Sequence, residues 1–184
     1  MRDLSLHLLD LTQNSVTAGA SLVEIQLTLE ENGWLTMVLR DDGKGMSPEL
    51  LARVTSPLAT TRTTRKVGLG IPMMQENAEK TGGGLSIRSQ VGKGTELTVT
   101  LDTRNIDCLP LGDLPGTLLS LILMHPERPD FHFHGASPRG ECDVDTREIR
   151  QAAGGLPLNE PAIAAWLQDA IHEEINPIFG GANL

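Results

Sequence analysis

The chain has 184 residues, of which 39% are apolar and 21% charged, an ordinary globular composition. That length allows one domain and a small second one. The 15 Lys and Arg against 24 Asp and Glu give a net charge of −9, which disfavours a dedicated nucleic-acid binder. The charge is uneven: residues 1–101 carry 10 basic and 11 acidic side chains, whereas residues 102–184 carry 5 and 13. This shift predicts two modules with different roles.

The first 101 residues predict helices alternating with hairpins. Apolar spacing and turn residues predict helices over 4–18, 47–54 and 71–80, and strands over 22–29, 34–40, 85–90 and 95–101. Residues 55–67 lack apolar periodicity and are predicted to form a long loop, which in a compact domain is usually functional. Strands joined by hairpins predict a mostly antiparallel sheet with helices on one face, an α+β two-layer sandwich.

The composition changes after Leu101. Residues 102–116 resemble a linker, and residues 117–184 predict a small acidic α+β appendage with helices over 117–125, 145–154 and 159–175 and a hairpin over 130–146. The N-terminus lacks the apolar stretch of a signal peptide, and the apolar run 118–124 is too short to span a bilayer. Two cysteines, Cys108 and Cys142, do not form a disulfide framework. We therefore expect a cytoplasmic, reduced protein.

The first predicted helix carries an acid and an amide four residues apart. Asp10 and Asn14 lie one above the other on one helix face. An Asn carbonyl oxygen can bind Mg²⁺, and an acid beside it can orient a water for attack on phosphorus. By itself this pattern is more typical of the polar stripe of an amphipathic helix.

An acidic, glycine-rich segment follows the second predicted strand. In Asp41-Asp42-Gly43-Lys44-Gly45, a carboxylate can accept a hydrogen bond from an exocyclic amine, and the glycines permit close backbone approach to a planar ligand. Alone, such a segment is more often only a turn.

Two further glycine motifs complete the pattern. Gly68-Leu69-Gly70 precedes a helix whose first N–H groups can bind an anion, and Arg62, Arg65 and Lys66 lie just before it. Gly92-Lys93-Gly94-Thr95 enters the last strand of the first module. Each motif is weak by itself.

In this order and spacing the motifs resemble the GHKL ATPase superfamily, which includes the gyrase B subunit, heat-shock chaperone ATPases, MutL and histidine kinases. The resemblance covers residues 1–101: DLTQNSVTAGA resembles the N box, DDGKGM the G1 box, GLGI the G2 box, and TGGGLSIRSQVGKGTELTVTL the last hairpin of histidine-kinase and anti-sigma ATPase domains. It implies a Bergerat-type fold that binds ATP or ADP with Mg²⁺.

The resemblance also implies residue roles. Asn14 would bind Mg²⁺, Asp41 the adenine amino group, and Gly43, Gly45 and Met46 would lie against the base, with Thr95 supporting the adenine pocket. Residues 55–67 would form the ATP lid, where Thr60, Thr61, Arg62 and Lys66 would contact the nucleotide. Gly68, Leu69 and Gly70 would hold the phosphates at the start of a helix.

One position departs from the pattern. The hydrolysing branches place Glu four residues before the Asn, whereas this chain has Asp10, which is one methylene shorter. Asp10 can still act as the catalytic acid that positions water, but a misplacement of about 1 Å can lower a rate roughly 10²-fold. ATP binding is therefore better supported by the sequence than the rate of turnover.

Three functions remain open from the sequence. The chain could be an ATPase module acting with a protein partner, an anti-sigma-type kinase that phosphorylates Ser or His of a partner, or a nucleotide sensor with little turnover. His7 lies within the N-box helix and is interpreted as lining the pocket rather than as a phosphoacceptor.

The C-terminal part gives fewer signals. His125, His132, His134, Cys108 and Cys142 fit no zinc spacing and are interpreted as solvated or core side chains. The tail resembles those of small stand-alone GHKL proteins that accompany hydrogenase or NADH-dehydrogenase-like subunits, which implies a redox-complex subunit as a partner. The sequence does not identify the phosphoacceptor or decide whether the chain forms a homodimer.

Overall fold

A computed structural model describes residues 2–54 and 70–180. The helices are α1 (Leu4–Thr17), α2 (Pro48–Val54), α3 (Gly70–Lys80), α4 (Leu114–Met124), α5 (Thr146–Ala152) and α6 (Pro161–Phe179). The strands are β1 (Leu22–Leu29), β2 (Trp34–Asp41), β3 (Gly84–Gln90), β4 (Gly94–Asp102), β5 (Asp130–Ser137) and β6 (Gly140–Asp145). These elements confirm the predicted two-layer α+β sandwich.

The six strands form one sheet in the order β3-β4-β2-β1-β5-β6. Every neighbouring pair is antiparallel except β1 and β5, which run parallel with Ile25 opposite Phe133. The parallel pair joins the N-terminal and C-terminal parts of the chain in the middle of a continuous sheet. The sequence predicts a separate hairpin in the tail but not this pairing.

One face of the sheet is covered by helices and the other is open. Alternating residues such as Val23, Ile25 and Leu27 of β1 are almost fully buried, while their neighbours Glu24 and Gln26 are exposed. The same alternation in β2, β4, β5 and β6 gives one apolar face. The buried strand residues and those of α1, α3, α4 and α6 belong to one hydrophobic cluster.

The segment predicted as a linker is fixed to the first helix. Backbone N–H groups of Leu4 and Ser5 donate to the carbonyl oxygens of Pro110 and Leu111, and the Ser5 hydroxyl also donates to Leu111. The two parts share one sheet. The predicted division into folding units, namely an ATPase domain over 1–101, a linker over 102–116 and a C-terminal domain over 117–184, stays a prediction.

Two helix boundaries differ from the predictions. Helix α4 begins at Leu114 rather than near 117, because the Asp113 carboxylate accepts a hydrogen bond from the Gly116 N–H and caps the helix. Helix α6 extends to Phe179, beyond the predicted end near 175, and contains Pro177 in its last turn. None of the helices in the described ranges has the length and apolarity needed to cross a membrane.

Candidate functional site

A cleft of about 200 Å³ opens beside the C-terminal half of α1. Its walls come from α1, from the loop between β2 and α2, from α2 itself, from the start of α3 and from the β3–β4 hairpin. Apolar side chains line most of it, and a few polar groups converge among them: Asn14, Ser15, Thr17, Asp41, Lys44 and Thr95. An apolar cavity with a small number of placed polar groups is typical of a site for a small molecule.

Asp41 is the acidic side chain of this cleft. Its Oδ2 accepts a hydrogen bond from the Ser15 hydroxyl at 2.8 Å, and its Oδ1 accepts one from the Gly43 N–H at 2.9 Å. Thr95 is its register partner on β4. A half-buried carboxylate held in this way has acceptor capacity left for an amino group of a planar ligand. The tertiary structure thus brings together Asp41, Gly43 and Thr95, as predicted from the sequence.

The adjacent carboxylate has a different, structural role. Asp42 is exposed and accepts hydrogen bonds from the N–H groups of Ser21 and Leu22 and from the Ser21 hydroxyl. Desolvation alone would raise the pKa of Asp42, but these hydrogen bonds outweigh it and hold the pKa below its ordinary value. The two neighbouring acids are therefore distinguished by the fold: Asp41 faces the cleft, and Asp42 fixes the start of β1.

The loop after β2 is packed tightly against the β3–β4 hairpin. Gly45 has φ +66°, and a Cβ there would lie 2.0 Å from the Gln90 carbonyl oxygen, so only glycine fits. The Met46 N–H donates to the Ser89 hydroxyl at 2.8 Å, and Ser89 also contacts Thr95 at 3.0 Å between their hydroxyl oxygens. Gly45 and Met46 both line the cleft, so the loop forms one of its walls.

Helix α1 presents its polar stripe toward the start of α3. Asn14 is exposed at the cleft, and in the described part of the chain its side-chain amide makes no hydrogen bond. Asp10, one turn earlier, lies against Gly70: a Cβ on Gly70 would come within 1.9 Å of Asp10 Oδ2. The carboxylate therefore lies at the N-terminus of α3, where backbone N–H groups attract anions.

The sequence predicts that His7 lines the cleft, but His7 lies in the interface between α1 and α3 instead. It is fully buried, and its Nε2 lies 2.9 Å from the Asn77 side-chain nitrogen. An Asn amide nitrogen donates, so this contact is a hydrogen bond when Nε2 of His7 carries no proton. Burial lowers the pKa of His7. A buried, neutral imidazole is a structural element of the core and is not placed to accept a phosphoryl group.

Some predicted residues lie outside the described part of the chain, namely Thr60, Thr61, Arg62, Lys66, Gly68 and Leu69. The roles assigned to them stay predictions. Gly70 is described and lies at the first position of α3.

The structure adds residues that motif spacing did not single out. The spacing of α1 predicts Ser15 only as part of the buried stripe of the helix, yet its hydroxyl donates to Asp41. Ser89 has no motif signal, although its position opposite Thr95 in the hairpin register would have suggested it. Leu39 and Leu97 line the cleft because they lie two residues from Asp41 and Thr95 on the same face of their strands, and Ile87 is the register partner of Leu97.

The histidines and cysteines of the C-terminal part are dispersed. His132 and His134 lie near the same Asp143 carboxylate, at 3.0 and 3.3 Å. Cys142 is buried on the opposite face of the sheet, and burial raises its pKa to about 11. Within residues 2–54 and 70–180, no group of three or more His, Cys, Asp or Glu side chains has the arrangement of a metal site.

The family model described as histidine kinase-, DNA gyrase B- and HSP90-like ATPase matches residues 2–105, more than half of the chain. The chain belongs to this ATPase family. The matched region contains α1 to α3 and β1 to β4, which together form the cleft. The resemblance drawn from the four motifs is thereby confirmed.

Relatives of this chain include sensor histidine kinases. It is 31% identical to sensor histidine kinase ZraS of Salmonella typhimurium over 96 residues, which are 51% of this chain and 20% of that protein. It is 32% identical over 95 residues to ZraS of Escherichia coli, with coverage of 51% and 20%. The chain therefore spans about a fifth of the length of these curated relatives.

A solved structure described as the N-terminal domain of a DNA repair protein has the same fold. It superposes with a TM-score of 0.52 at 14% identity, covering 79% of this chain and 52% of that one. At this identity the likeness concerns the fold alone. The superposition covers 79% of this chain, which is more than the residues 2–105 matched by the family model. The shared architecture therefore includes part of the chain after residue 105.

Proposed function

We propose that this chain binds Mg-ATP in the cleft beside α1 and, together with a protein partner, hydrolyses the nucleotide or transfers its γ-phosphate. The observation that carries the proposal is the Asp41 carboxylate, fixed by Ser15 and the Gly43 N–H at the edge of an apolar cleft. Such a group can accept the exocyclic amine of adenine while the apolar walls contact the base.

The cleft offers adenine a defined place. Leu39, Met46 and Ile87 supply apolar contact, and Thr95, opposite Asp41, adds a hydroxyl beside the carboxylate. The packing of Gly45 against Gln90 keeps the loop in position. A preformed pocket of this kind lowers the ordering cost of binding.

The phosphates would then extend along α1 toward the start of α3. In the described part of the chain the Asn14 side-chain carbonyl oxygen makes no hydrogen bond and suits a magnesium ligand, and the first N–H groups of α3, which starts at Gly70, can attract an anion. Bound magnesium would neutralise phosphate charge during transfer. Thr60, Thr61, Arg62, Lys66, Gly68 and Leu69 are proposed to contribute from outside the described residues.

Asp10 is the proposed general base. Its carboxylate lies against Gly70, next to the place where α3 would receive the phosphates. A carboxylate there can accept the proton of a water or of a partner's hydroxyl as it attacks phosphorus. This position favours turnover over pure nucleotide sensing, but serves hydrolysis and transfer equally well.

The binding proposal is tested by a matched pair of substitutions. Asp41→Asn should weaken ATP binding about 100-fold in calorimetry, because an amide cannot replace both the acceptor for adenine and the partner of Ser15. Asp42→Asn, the adjacent acid, should change ATP affinity less than about threefold, since Asp42 faces away from the cleft. Equal effects of the two substitutions would contradict the assignment of Asp41.

The reaction is tested with γ-labelled ATP and purified protein. Phosphate release without a partner supports an ATPase, while label transfer only in the presence of a partner supports an anti-sigma-type kinase. Binding without either would leave a nucleotide sensor and contradict the role of Asp10. A redox-complex subunit is one class of partner to test, and the cytoplasm is the proposed location.

A further inference from the structure

A groove in the C-terminal part combines an apolar floor with an acidic rim. It has a volume of about 170 Å³ and lies between α5, α6 and the edge strand β6. Ile149, Leu167, Ala170 and Ile171 form the floor, and Trp166 stands beside them with 55% of its surface exposed. An exposed aromatic next to an apolar groove is the kind of anchor that dominates binding energy in protein interfaces.

The rim of the groove is negatively charged. It is formed by Asp143, Asp145, Glu148 and Glu174. The Asp145 carboxylate is paired with Arg147 at 2.6 Å, and Arg150 of α5 is engaged by Asp130 at 2.8 Å. Within the described ranges, no Lys or Arg lies within ion-pair distance of Glu148 or Glu174. The rim therefore keeps an excess of negative charge.

We infer that this groove is a docking site for a basic segment of a partner protein that carries a large aliphatic side chain. The aliphatic group would contact Trp166 and Ile149, and Lys or Arg side chains would face Glu148 and Glu174. Charge complementarity selects this occupant, since residues 102–184 carry 13 acidic and only 5 basic side chains.

The same charge disfavours other occupants. Two copies of this chain would bring one acidic rim against another, and nucleic acids or anionic lipid surfaces would be repelled. The groove lies outside the nucleotide cleft and shares no lining residue with it. The inference therefore goes beyond the proposed ATP-dependent function and does not depend on it.

The test uses a Trp34→Phe background, in which Trp166 is the sole tryptophan. The probe is a short acetylated peptide amide in which leucines are separated by pairs of lysines. One control peptide has serine in place of every leucine, and another has glutamate in place of every lysine. We expect the Lys/Leu peptide to change Trp166 emission and to bind about 10-fold more tightly than either control peptide.

Two variants locate the binding to the groove. The double substitution Glu148→Gln with Glu174→Gln should weaken peptide binding about 10-fold, whereas Asp107→Asn with Glu127→Gln, two exposed acids elsewhere in the same half, should change it less than about twofold. Trp166→Ala, measured by calorimetry, should also weaken binding about 10-fold. ATP affinity should be the same in all these variants, which separates this inference from the proposed function.

Three results would overturn the inference. Equal affinities for the serine peptide and the Lys/Leu peptide would show that charge attraction alone causes binding and that the apolar groove does not contribute. Equal losses in the two double variants would show that the acids act through net charge alone. Self-association that is removed by Trp166→Ala, seen by analytical ultracentrifugation, would show that a second copy occupies the groove.

Discussion

The two parts of the sheet are built alike but carry different chemistry. The β1–β4 part is almost neutral and keeps its important acids, Asp10 and Asp41, half-buried around one cleft. The β5–β6 part is strongly acidic and has exposed carboxylates, Asp143, Glu148 and Glu174, around a groove with an exposed tryptophan. Half-buried, hydrogen-bonded charge suits recognition of a small molecule, and surface charge suits attraction of a macromolecule. One sheet can therefore support two binding functions.

The most severe test of this comparison asks whether the two parts are energetically separate. Phe133 of β5 is 1% exposed and lies opposite Ile25 of β1. We expect Phe133→Ala to lower the free energy of unfolding by about 3–5 kcal/mol. Because both parts share one core cluster, Trp34 in β2 and Trp166 in α6 should report the same lowered transition.

Single-tryptophan variants, Trp34→Phe and Trp166→Phe, provide the measurement by thermal unfolding followed by fluorescence. In Phe133→Ala, the transition reported by Trp166 could have a lower midpoint temperature while the transition reported by Trp34 keeps its original midpoint. That result would mean that the two parts are separate folding units. That result would support the predicted domain boundary after residue 101.

A second prediction concerns turnover in the neutral part. Asp10→Asn keeps the shape beside Gly70 but removes a basic carboxylate, so phosphate release or transfer should fall about 10²-fold. ATP affinity should stay within about threefold of the original, since the adenine contacts are elsewhere. The rate is measured with γ-labelled ATP and the affinity by calorimetry. Unchanged turnover would reject Asp10 as the base.

The third prediction concerns the support of Asp41, the carboxylate proposed to bind adenine. Ser15→Ala removes the 2.8 Å hydrogen bond to Asp41 and should weaken ATP binding about 10-fold, as expected for a hydrogen bond to a charged group. Ser120→Ala is a matched control, because that hydroxyl donates only to the Gly116 carbonyl on the exposed side of α4. A similar affinity in both variants would mean that Asp41 needs no support from α1.

The smallest expected effect is a pH dependence of stability. His7 is buried and its pKa is lowered below the ordinary 6.5, so below that pH the unfolded chain binds more protons than the folded one. The free energy of unfolding should therefore fall as pH decreases below about 6.5, by at most about 1.4 kcal/mol per pH unit from this group. Denaturant titrations of the original chain and of His7→Gln measure the free energy of unfolding at each pH. Between pH 7 and about 5.5, this free energy should fall less steeply with decreasing pH in the variant. Identical slopes would exclude His7 as the source.

Much of the first part was predictable because its determinants are local. Alternating apolar residues defined β1, β2 and β4, and glycine motifs at fixed spacing indicated the cleft. The nearness of Thr95 to Asp41 was implied by the family resemblance, and the two residues are register partners on β4 and β2. The role of Ser15 was not predictable, because a single hydroxyl carries no periodic signal and its partner depends on how the elements pack.

The C-terminal part shows what local patterns leave undecided. Its helices and hairpin were predicted within a few residues, but the parallel pairing of β5 with β1 joins segments about a hundred residues apart, and no turn specifies that register. Likewise, Asp41 and Asp42 are identical neighbours in the sequence, but the fold gives them different partners: Ser15 of α1 donates to Asp41, whereas Ser21 and Leu22 donate to Asp42. The sequence alone determined the elements, the family motifs and the position of the excess charge along the chain. The tertiary structure decided the hydrogen-bond partners of each acid, such as Ser15 for Asp41, because the environment of a side chain is set by long-range contacts.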